Sequence, residues 1–433
     1  MKDSPKILIF TVASWNSRVG SNTWETLVKG YPAEKLANIC IREDYPDSDV
    51  CSRYFVISEN RILKSLFNRQ IKTGYEVEKT QQIEQRNNSD LQEHAERYQK
   101  MSVKRKISML LARELVWKFG KWNTAELDSF LDDFKPDIIL HSMESYIHLN
   151  RIIEYAIART QAKAVGYIWD DNFTYLQSNS LGHKFYRLFQ RQSLRKLAQK
   201  TDAFFAITQK TKKEADVFFK INSVLLTKPL LSVPQYSQAP IGCPIRMLYT
   251  GKLIIGREDT IRQIADAVKA VNMDSAPRII LDIYTNTQLN EDIKSQISNP
   301  WCQIHPAIPQ NEVYALQKQA DVLLFVEALE GPKAKIARLS FSTKITDYLS
   351  TGKCIFAVGL RDTAPMEYFT ENNAAITAYD LASIKTEVAR MAEHPEIIQE
   401  TAKHCAEVAV KLHDPEMIRA RFWSTLQKVL NSK

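Results

Sequence analysis

The stretch Ser340–Val358 constrains the fold of this chain most strongly. It reads as a polar loop, a short helix, a turn at Gly352 and then the strand Cys354–Val358, which is apolar throughout. Ser342 or Thr343 can cap the helix, because a hydroxyl accepts from the free N–H groups of the first turn. An unbroken apolar run after a helix and a glycine turn is typical of a buried parallel strand, so the stretch indicates an α/β protein.

The start of this helix also has the chemistry of an anion site. Lys344 follows the two hydroxyls, and the N–H groups at a helix N-terminus attract negative charge such as that of a diphosphate. Taken alone, the pattern is equally typical of an ordinary helix in an α/β protein. Both interpretations stay open on this stretch.

A second stretch, Arg246–Arg257, has complementary features. Its first half is predicted to be a strand that ends at Gly251, and the cations Lys252 and Arg257 follow. The residues after it are predicted to form a helix, because apolar side chains recur on one face at helical spacing. These side chains are Ile261, Ile264, Ala265 and Val268.

Together the two stretches resemble the donor-side signature of GT-B glycosyltransferases, especially glycosyltransferase family 4 and its relatives. The family's strand–Gly–Arg/Lys–Leu–x–x–x–Lys/Arg pattern is matched by Gly251, Lys252, Leu253 and Arg257. Its Lys–x–x–Glu–Tyr–Leu–x–x–Gly–Lys–Pro pattern is matched by Lys344, Asp347, Tyr348, Leu349, Gly352 and Lys353. Asp347 stands for the family's glutamate, and Cys354 stands for its proline.

The segment between the two motifs adds to the resemblance. Ala320–Phe325 resembles the family's strand before the sugar-binding loop, and Glu330–Gly331 resembles its Glu–Gly pair. The loop Ala328–Ser340 is longer than the commonest family form, so the match of Glu330 departs from the pattern.

The resemblance implies an α/β protein with the GT-B fold, in which two Rossmann-like, doubly wound parallel-sheet domains face a central cleft. It also implies a retaining hexosyltransferase that takes its sugar from a nucleotide diphosphate, UDP or GDP, and needs neither a cofactor nor a metal. Fixed cations would stabilise the leaving diphosphate. Asp347 would bind the ribose hydroxyls and Glu330 the donor sugar. The donor-binding residues so implied are Gly251, Lys252, Arg257, Ser342, Thr343, Lys344 and Asp347.

Two alternatives to a glycosyltransferase stay open. A sugar-nucleotide epimerase shares the two-domain architecture and uses the donor without an acceptor. A catalytically silent GT-B subunit would keep the fold as a binding or scaffold protein. The aspartate at Asp347 and the altered loop 328–340 keep this second alternative open.

A chain of 433 residues is long enough for two domains. We expect an acceptor-binding domain over 1–228 and a proline-containing hinge over 229–243. The nucleotide-sugar domain is then expected over 244–410, and a helix over 411–433 is expected to pack back on the first domain. A polar, charged insertion of the first domain covers about 60–122, and we expect it to be either an exposed helical insertion or partly disordered.

Polar side chains that follow two predicted strands of the first domain are candidates for acceptor binding. His141 and Glu144 follow one strand, and Asp170 and Asp171 follow another. The carboxyl ends of parallel strands face the ligand crevice, where a carboxylate can act as a general base. A simple helix cap is the alternative for the aspartates. With Glu330, the residues His141, Asp170 and Asp171 form the predicted catalytic set.

The loop after the first predicted strand is expected to lie over the cleft. Its polar and flexible candidates are Asn16, Arg18, Gly20 and Ser21, with a solvated turn as the alternative. It contains no GxGxxG pattern, which argues against a nicotinamide-dependent dehydrogenase. The six cysteines are scattered without a CxxC pair, so no metal site is expected from them.

The net charge of +8 suits anionic partners. The expected partners are a nucleotide-sugar donor and a glycan or lipid-linked acceptor. The sequence contains no nucleic-acid-binding motif, so nucleic acid is not expected as a partner. Residues 104–122 mix cations with apolar side chains, which suits contact with an anionic membrane, although a packed domain helix explains them as well. No signal peptide or membrane span is expected. We therefore expect a cytoplasmic protein, peripheral on the inner face of the plasma membrane, that builds a bacterial surface polysaccharide.

Overall fold

The computed structural model describes two β-sheets with helices around them. The residues that it describes are 4–15, 23–43, 46–77, 107–177, 180–236, 240–273 and 276–432.

The first sheet has eight strands: β1 (Ile7–Thr11), β2 (Leu36–Cys40), β3 (Arg53–Ile57), β4 (Gly74–Val77), β5 (Ile138–Ser142), β6 (Lys163–Ile168), β7 (Ala203–Ala206) and β8 (Val224–Leu225). Their order is β4–β3–β2–β1–β5–β6–β7–β8, and all neighbours are parallel except β3 and β4. Ile7 and Ile9 of β1 face one hydrophobic core, whereas Leu8 and Phe10 face another. Both faces of the sheet are therefore covered, as in a doubly wound domain.

The second sheet has six strands: β9 (Ile245–Thr250), β10 (Ile279–Thr285), β11 (Cys302–Pro306), β12 (Val322–Val326), β13 (Cys354–Val358) and β14 (Ile376–Ala378). Their order is β11–β10–β9–β12–β13–β14, and all are parallel. The strands β9, β12 and β13 lie side by side in the middle of the sheet. Their carboxyl ends therefore bring the two predicted donor motifs to one edge.

The helices associated with the first sheet are α1 (Thr23–Val28), α2 (Glu59–Ser65), α3 (Ile107–Phe119), α4 (Ala125–Phe134), α5 (Ile147–Thr160), α6 (Leu181–Ala198) and α7 (Gln209–Phe219), with a short 3-10 helix at Ala33–Lys35. The later helices are α8 (Arg257–Asn272), α9 (Glu291–Ile297), α10 (Gln310–Gln319), α11 (Gly331–Ala334), α12 (Thr343–Leu349), α13 (Ala364–Asn372), α14 (Leu381–Glu393), α15 (Glu396–His413) and α16 (Pro415–Asn431). None of these described helices is both long and apolar enough to cross a bilayer.

Several helices begin where the sequence supplies a capping side chain. Thr124, Thr208, Asn290 and Asp414 each accept a hydrogen bond from a backbone N–H group in the first turn of the helix that follows. Such caps satisfy donors that the helix itself leaves free.

The last helix, α16, packs against the first sheet. Phe422 contacts Trp24 and Phe205, with ring centres 6.5 and 5.7 Å apart. Trp423 stacks on Tyr31 at 4.5 Å. One hydrophobic core contains these residues together with residues of both sheets, so the two halves of the chain are joined by packing as well as by the linker.

The predicted α/β class with two doubly wound parallel sheets is confirmed. The short strands β4, β8 and β14 were not predicted, and residues 78–106 of the predicted insertion lie outside the described residues. Strand β5 extends to Ser142, so His141 lies within a strand and does not follow it. The domain limits themselves stay predictions.

Candidate functional site

The ammonium of Lys344 lies against the turn that follows β9. Gly251 in this turn has a φ of +143°, and a Cβ atom on it would lie 2.1 Å from the Lys344 Nζ. A side chain at this position would displace the ammonium, and the positive φ also favours glycine. The Nζ also lies 4.4 Å from the centre of the Tyr249 ring and 3.5 Å from its hydroxyl oxygen. The two predicted donor motifs meet at this cation.

The charge of Lys344 is held without a neutralising partner. In the described ranges, no carboxylate oxygen lies within 4.0 Å of its Nζ, the limit for an ion pair. Burial, and after it the positive charge of Arg257, lower the pKa of Lys344 to about 7. Folding stability alone does not favour such a group, and strongly shifted lysines are typical of functional sites.

Arg257 begins α8 and reaches the end of the neighbouring strand β12. Its Nη2 donates to both carboxylate oxygens of Glu327 at 2.9 Å, and its Nε donates to Glu327 and to the Val326 carbonyl at 3.1 Å. Glu327 is only 6% exposed, so this paired carboxylate orients the guanidinium. The Glu–Gly pattern predicted Glu330 and not Glu327, although the position of Glu327 directly after a buried strand also marks it as a candidate.

Glu330 and Lys252 are both exposed. Glu330 lies in the loop after β12, and Lys252 follows Gly251 in the turn after β9, where its carbonyl accepts from the Tyr249 hydroxyl at 2.8 Å. Within the part of the chain that the structure describes, neither side chain makes a hydrogen bond or an ion pair. Their roles at the donor stay predictions.

Ser342 and Asp347 flank Lys344 in the sequence: Ser342 is the N-cap of α12, and Asp347 lies within the helix. The Ser342 hydroxyl accepts from the Lys344 backbone N–H at 3.4 Å, whereas Thr343 is exposed. Asp347, the predicted ribose ligand, accepts from the Nζ of Lys228 at 2.8 Å. The Lys228 side chain is 1% exposed and that of Asp347 is 23% exposed. A buried cation from the start of the linker thus holds the carboxylate that is predicted to bind the nucleotide.

His141 is buried in the first half of the molecule. Its Nε2 lies 3.1 Å from the hydroxyl oxygen of Thr201, and a Cβ atom on Gly166 would lie 3.2 Å from its Cε1. Burial lowers the pKa of His141 to about 4. The imidazole is therefore a neutral, enclosed group, and the structure does not bring it to the strand ends where it was predicted.

Asp171 is also fully buried, and its oxygens hold a turn. It accepts from the backbone N–H of Thr174 at 3.0 Å and from the hydroxyl of the same residue. The Nη2 of Arg338 lies 3.9 Å from it. These contacts agree with the capping interpretation of Asp171.

Asp170 and Glu144, two of the predicted acceptor residues, are half-buried. Asp170 follows β6, and its carboxylate accepts from the hydroxyl of Ser340. Glu144 follows β5 and accepts from the indole N–H of Trp169 at 3.2 Å. Burial, and after it the charge of Asp170, raise the pKa of Glu144 to about 7, and burial also raises the pKa of Asp170. A carboxyl group with such a pKa can exchange protons near neutral pH.

The loop before α12 connects the predicted donor residues with the predicted acceptor residues. Arg338 donates to both carboxylate oxygens of Glu214 on α7, and the Thr211 hydroxyl donates to the Leu339 carbonyl at 2.8 Å. Leu339 is buried in a hydrophobic core of the first half, and Ser340 reaches Asp170. The loop that departs from the commonest family form is therefore the one that contacts the acceptor side.

A cavity of about 1320 Å³ lies between α7 and α13. Its lining includes Lys210, Lys213 and Tyr368, but none of the predicted donor or catalytic residues. The residues of the described ranges contain no group of three or more His, Cys, Asp or Glu side chains arranged to hold a metal ion. Asn16, Arg18, Gly20 and Ser21 lie outside the described residues.

No model of a known protein family matches the chain, and no curated protein does. The fold is similar to that of HepE from Anabaena in complex with UDP and glucose, with a TM-score of 0.61 and 10% identity over 98% of this chain and 100% of that one. It is also similar to a trehalose 6-phosphate synthase from Burkholderia multivorans, with a TM-score of 0.62 and 11% identity over 98% and 96%. A third similar structure is the pneumococcal O-GlcNAc transferase GtfA in complex with UDP and GlcNAc. Its TM-score is 0.51, with 14% sequence identity over 71% of this chain and 60% of that one. These likenesses show that the chain has the GT-B fold.

Proposed function

We propose that this GT-B chain is a glycosyltransferase, which moves a sugar from a nucleotide diphosphate to an acceptor hydroxyl. The observation that carries the proposal is the Lys344 ammonium, which lies next to Gly251 and near Arg257 and has no carboxylate oxygen within 4.0 Å among the described residues. Glu327 and Asp347 act on this ammonium only from a distance, and a diphosphate would supply a direct ionic partner. The complexes of HepE and GtfA with UDP make uridine diphosphate the first nucleotide to test, with GDP next.

The chemistry follows from where the cations lie. Negative charge develops on the β-phosphate as the sugar leaves, and Lys344 and Arg257 are already fixed near each other to stabilise it. Glu327 holds the guanidinium in place, so little reorganisation is needed during the reaction. These two cations perform the role that a metal ion has in other glycosyltransferases, which makes the proposed reaction metal-independent. Retention of the anomeric configuration is implied by the family resemblance, and NMR of the product tests it.

We also propose that Asp170 and Glu144 bind the acceptor hydroxyl that receives the sugar. The two carboxyl groups follow neighbouring strands, and Ser340 from the donor side contacts one of them. Glu144 is suited to take a proton from the acceptor because its pKa is about 7. Replacing it by glutamine is expected to remove the acidic limb of the pH–rate profile near pH 7 and to leave UDP binding unchanged. A profile that keeps this limb would exclude Glu144 as the proton acceptor.

The proposed acceptor is a glycan or a lipid-linked sugar of a bacterial surface polysaccharide. For such an acceptor, the proposed location of the protein is the cytoplasm, in peripheral contact with the inner face of the plasma membrane. The net charge of +8 supports an anionic surface as a partner.

A thermal-shift panel of UDP, GDP, ADP and CMP with EDTA present tests the donor site. Ligand binding raises the melting temperature according to the ratio of ligand concentration to dissociation constant. We expect one nucleotide to stabilise the wild type and Lys269→Ala, an exposed lysine of the same half, but not Lys344→Ala. If no nucleotide stabilises the wild type, the chain is a silent GT-B scaffold instead.

A further inference from the structure

Helix α6 exposes a stripe of large apolar side chains. Leu181 is 84% exposed and Phe185 is 57% exposed, and Leu188 and Phe189 continue the stripe one turn further. The rings of Phe185 and Phe189 lie 5.1 Å apart. Single exposed apolar residues are ordinary on protein surfaces, but a stripe at helical spacing indicates a surface that contacts something else.

Helix α3 extends this surface. It packs beside α6, and its Leu111, Leu115 and Phe119 are exposed at successive turns. A groove of about 600 Å³ between the two helices is lined by Leu111, Leu115 and Phe189, with Lys118 and Lys196 at its edge. We call the combined surface the α3–α6 face. It consists of Leu111, Leu115, Phe119, Leu181, Phe185, Leu188 and Phe189.

The charges around the α3–α6 face are almost all positive. Helix α6 contains no Asp or Glu, and its cations are Lys184, Arg187, Arg191, Arg195 and Lys196. Two nearby carboxylates are already engaged. Glu114 accepts from Tyr186 at 3.1 Å and lies 3.1 Å from the His148 Nδ1, and Glu154 pairs with Lys200 at 2.8 Å. Lys118, Lys184, Arg195 and Lys196 are exposed on these two helices, and none of them forms an ion pair with another described residue.

Arg187 of α6 links this helix, through Asn172, to Glu144, one of the two carboxylates proposed to bind the acceptor. Arg187 donates to the Asn172 carbonyl at 2.6 Å, and the Asn172 side chain donates to Glu144 at 3.4 Å. Helix α6 is therefore linked by two hydrogen bonds to the carboxylate of Glu144. This arrangement favours a surface that also holds the acceptor.

We propose that the α3–α6 face docks on an anionic lipid bilayer. Its apolar side chains enter the interface between headgroups and acyl chains, and the surrounding cations contact the anionic headgroups. The sequence pattern suggested membrane contact at 104–122 only, whereas the fold adds α6 as the larger part of the surface. The proposal refines the peripheral location included in the proposed function, but binding to lipid requires no nucleotide.

Co-sedimentation with vesicles tests the proposal. The full chain is mixed with phosphatidylcholine vesicles that contain or lack phosphatidylglycerol, in the absence of any nucleotide. We expect binding to the anionic vesicles only, and weaker binding as salt is added, because salt screens the cations. The variant Phe185→Asp removes an exposed ring that is proposed to enter the bilayer and adds a negative charge that anionic headgroups repel, so its affinity for anionic vesicles is expected to fall by at least about tenfold.

The control is Leu381→Asp, which makes the same kind of change at an exposed residue of α14. It is expected to bind vesicles like the wild type. Equal binding by both variants, or no preference for anionic vesicles, overturns the proposal. Dimerisation without vesicles that Phe185→Asp abolishes would assign the face to a second copy and overturn it too. Phe185→Asp should keep the thermal shift with UDP, so failure of lipid docking is distinguishable from failure of the donor site.

Discussion

Replacing Lys344 by methionine is expected to stabilise the ligand-free protein while abolishing its response to nucleotide. The ammonium is largely enclosed near Arg257, and among the described residues it has no carboxylate oxygen within ion-pair distance. Methionine has a similar length and carries no charge, so the cost of enclosing a cation disappears. The same change removes the charge that a diphosphate is proposed to bind. Stability and binding should therefore move in opposite directions.

The size of the effect follows from the pKa of Lys344, which burial and Arg257 lower from 10.5 to about 7. At pH 7 this difference corresponds to a cost of at most about 4 kcal/mol, since each pH unit is worth about 1.4 kcal/mol. The ammonium keeps some contact with water, so we expect about half of that, roughly 2 kcal/mol. For a domain of this size, the melting temperature should rise by about 4–8 °C.

The sign of the pH dependence gives an independent check. The unfolded chain keeps the proton of Lys344 up to its ordinary pKa of 10.5, whereas the folded chain releases it near pH 7. The unfolded state therefore binds more protons between these values, and the stability of the wild type relative to Lys344→Met rises with pH across this window. The advantage of the variant should be largest below pH 7 and vanish near pH 10.5.

The assay is urea unfolding of the wild type, Lys344→Met and Lys269→Met from pH 6 to pH 10, each with and without UDP. The exposed Lys269 serves as the matched control, and its variant should behave like the wild type. The reasoning is refuted if Lys344→Met is less stable than the wild type at pH 7, or if its advantage does not change with pH.

Three further predictions concern the same site. Gly251→Ala should abolish UDP binding in calorimetry, because its Cβ would lie 2.1 Å from the Lys344 Nζ. Gly30→Ala, which also has a positive φ but no atom within 4 Å, should bind UDP normally. UDP affinity should fall as the pH rises above 7, by up to about tenfold per unit, with proton uptake measurable in buffers of different ionisation enthalpy. Lys228→Met frees Asp347 from its partner, so the preference for UDP over 2′-deoxy-UDP should decrease in the same titration; an unchanged preference would exclude a ribose role for this pair.

The fold class could be predicted because its signals are local. Apolar runs, glycine turns and capping residues mark the strands and helices of the second sheet. The resemblance of two motifs to the GT-B donor-side signature implied that Lys344 and Gly251 belong to one site. Only the structure shows that the Lys344 ammonium lies where a side chain on Gly251 would be. Glu327 was missed because a short Glu–Gly pattern favoured Glu330, although only Glu327 directly follows the buried strand.

The remaining features depend on contacts between distant parts of the chain. Lys228 and Asp347 are paired across the linker, and no local pattern marks a buried lysine there. His141 was misplaced because β5 extends further than its apolar run. The stripe on α6 is visible in the sequence as a basic amphipathic helix, but only the fold shows that its apolar stripe faces outward while Tyr186 and Leu194 face the core.

The measurement that tests the central claim most directly is a crystal structure of the protein with UDP, grown in the presence of EDTA. The account predicts that the diphosphate lies within hydrogen-bond distance of the Lys344 Nζ and the Arg257 guanidinium, with the ribose hydroxyls on Asp347. UDP bound away from these side chains, or bound only when a divalent metal replaces EDTA, would contradict it.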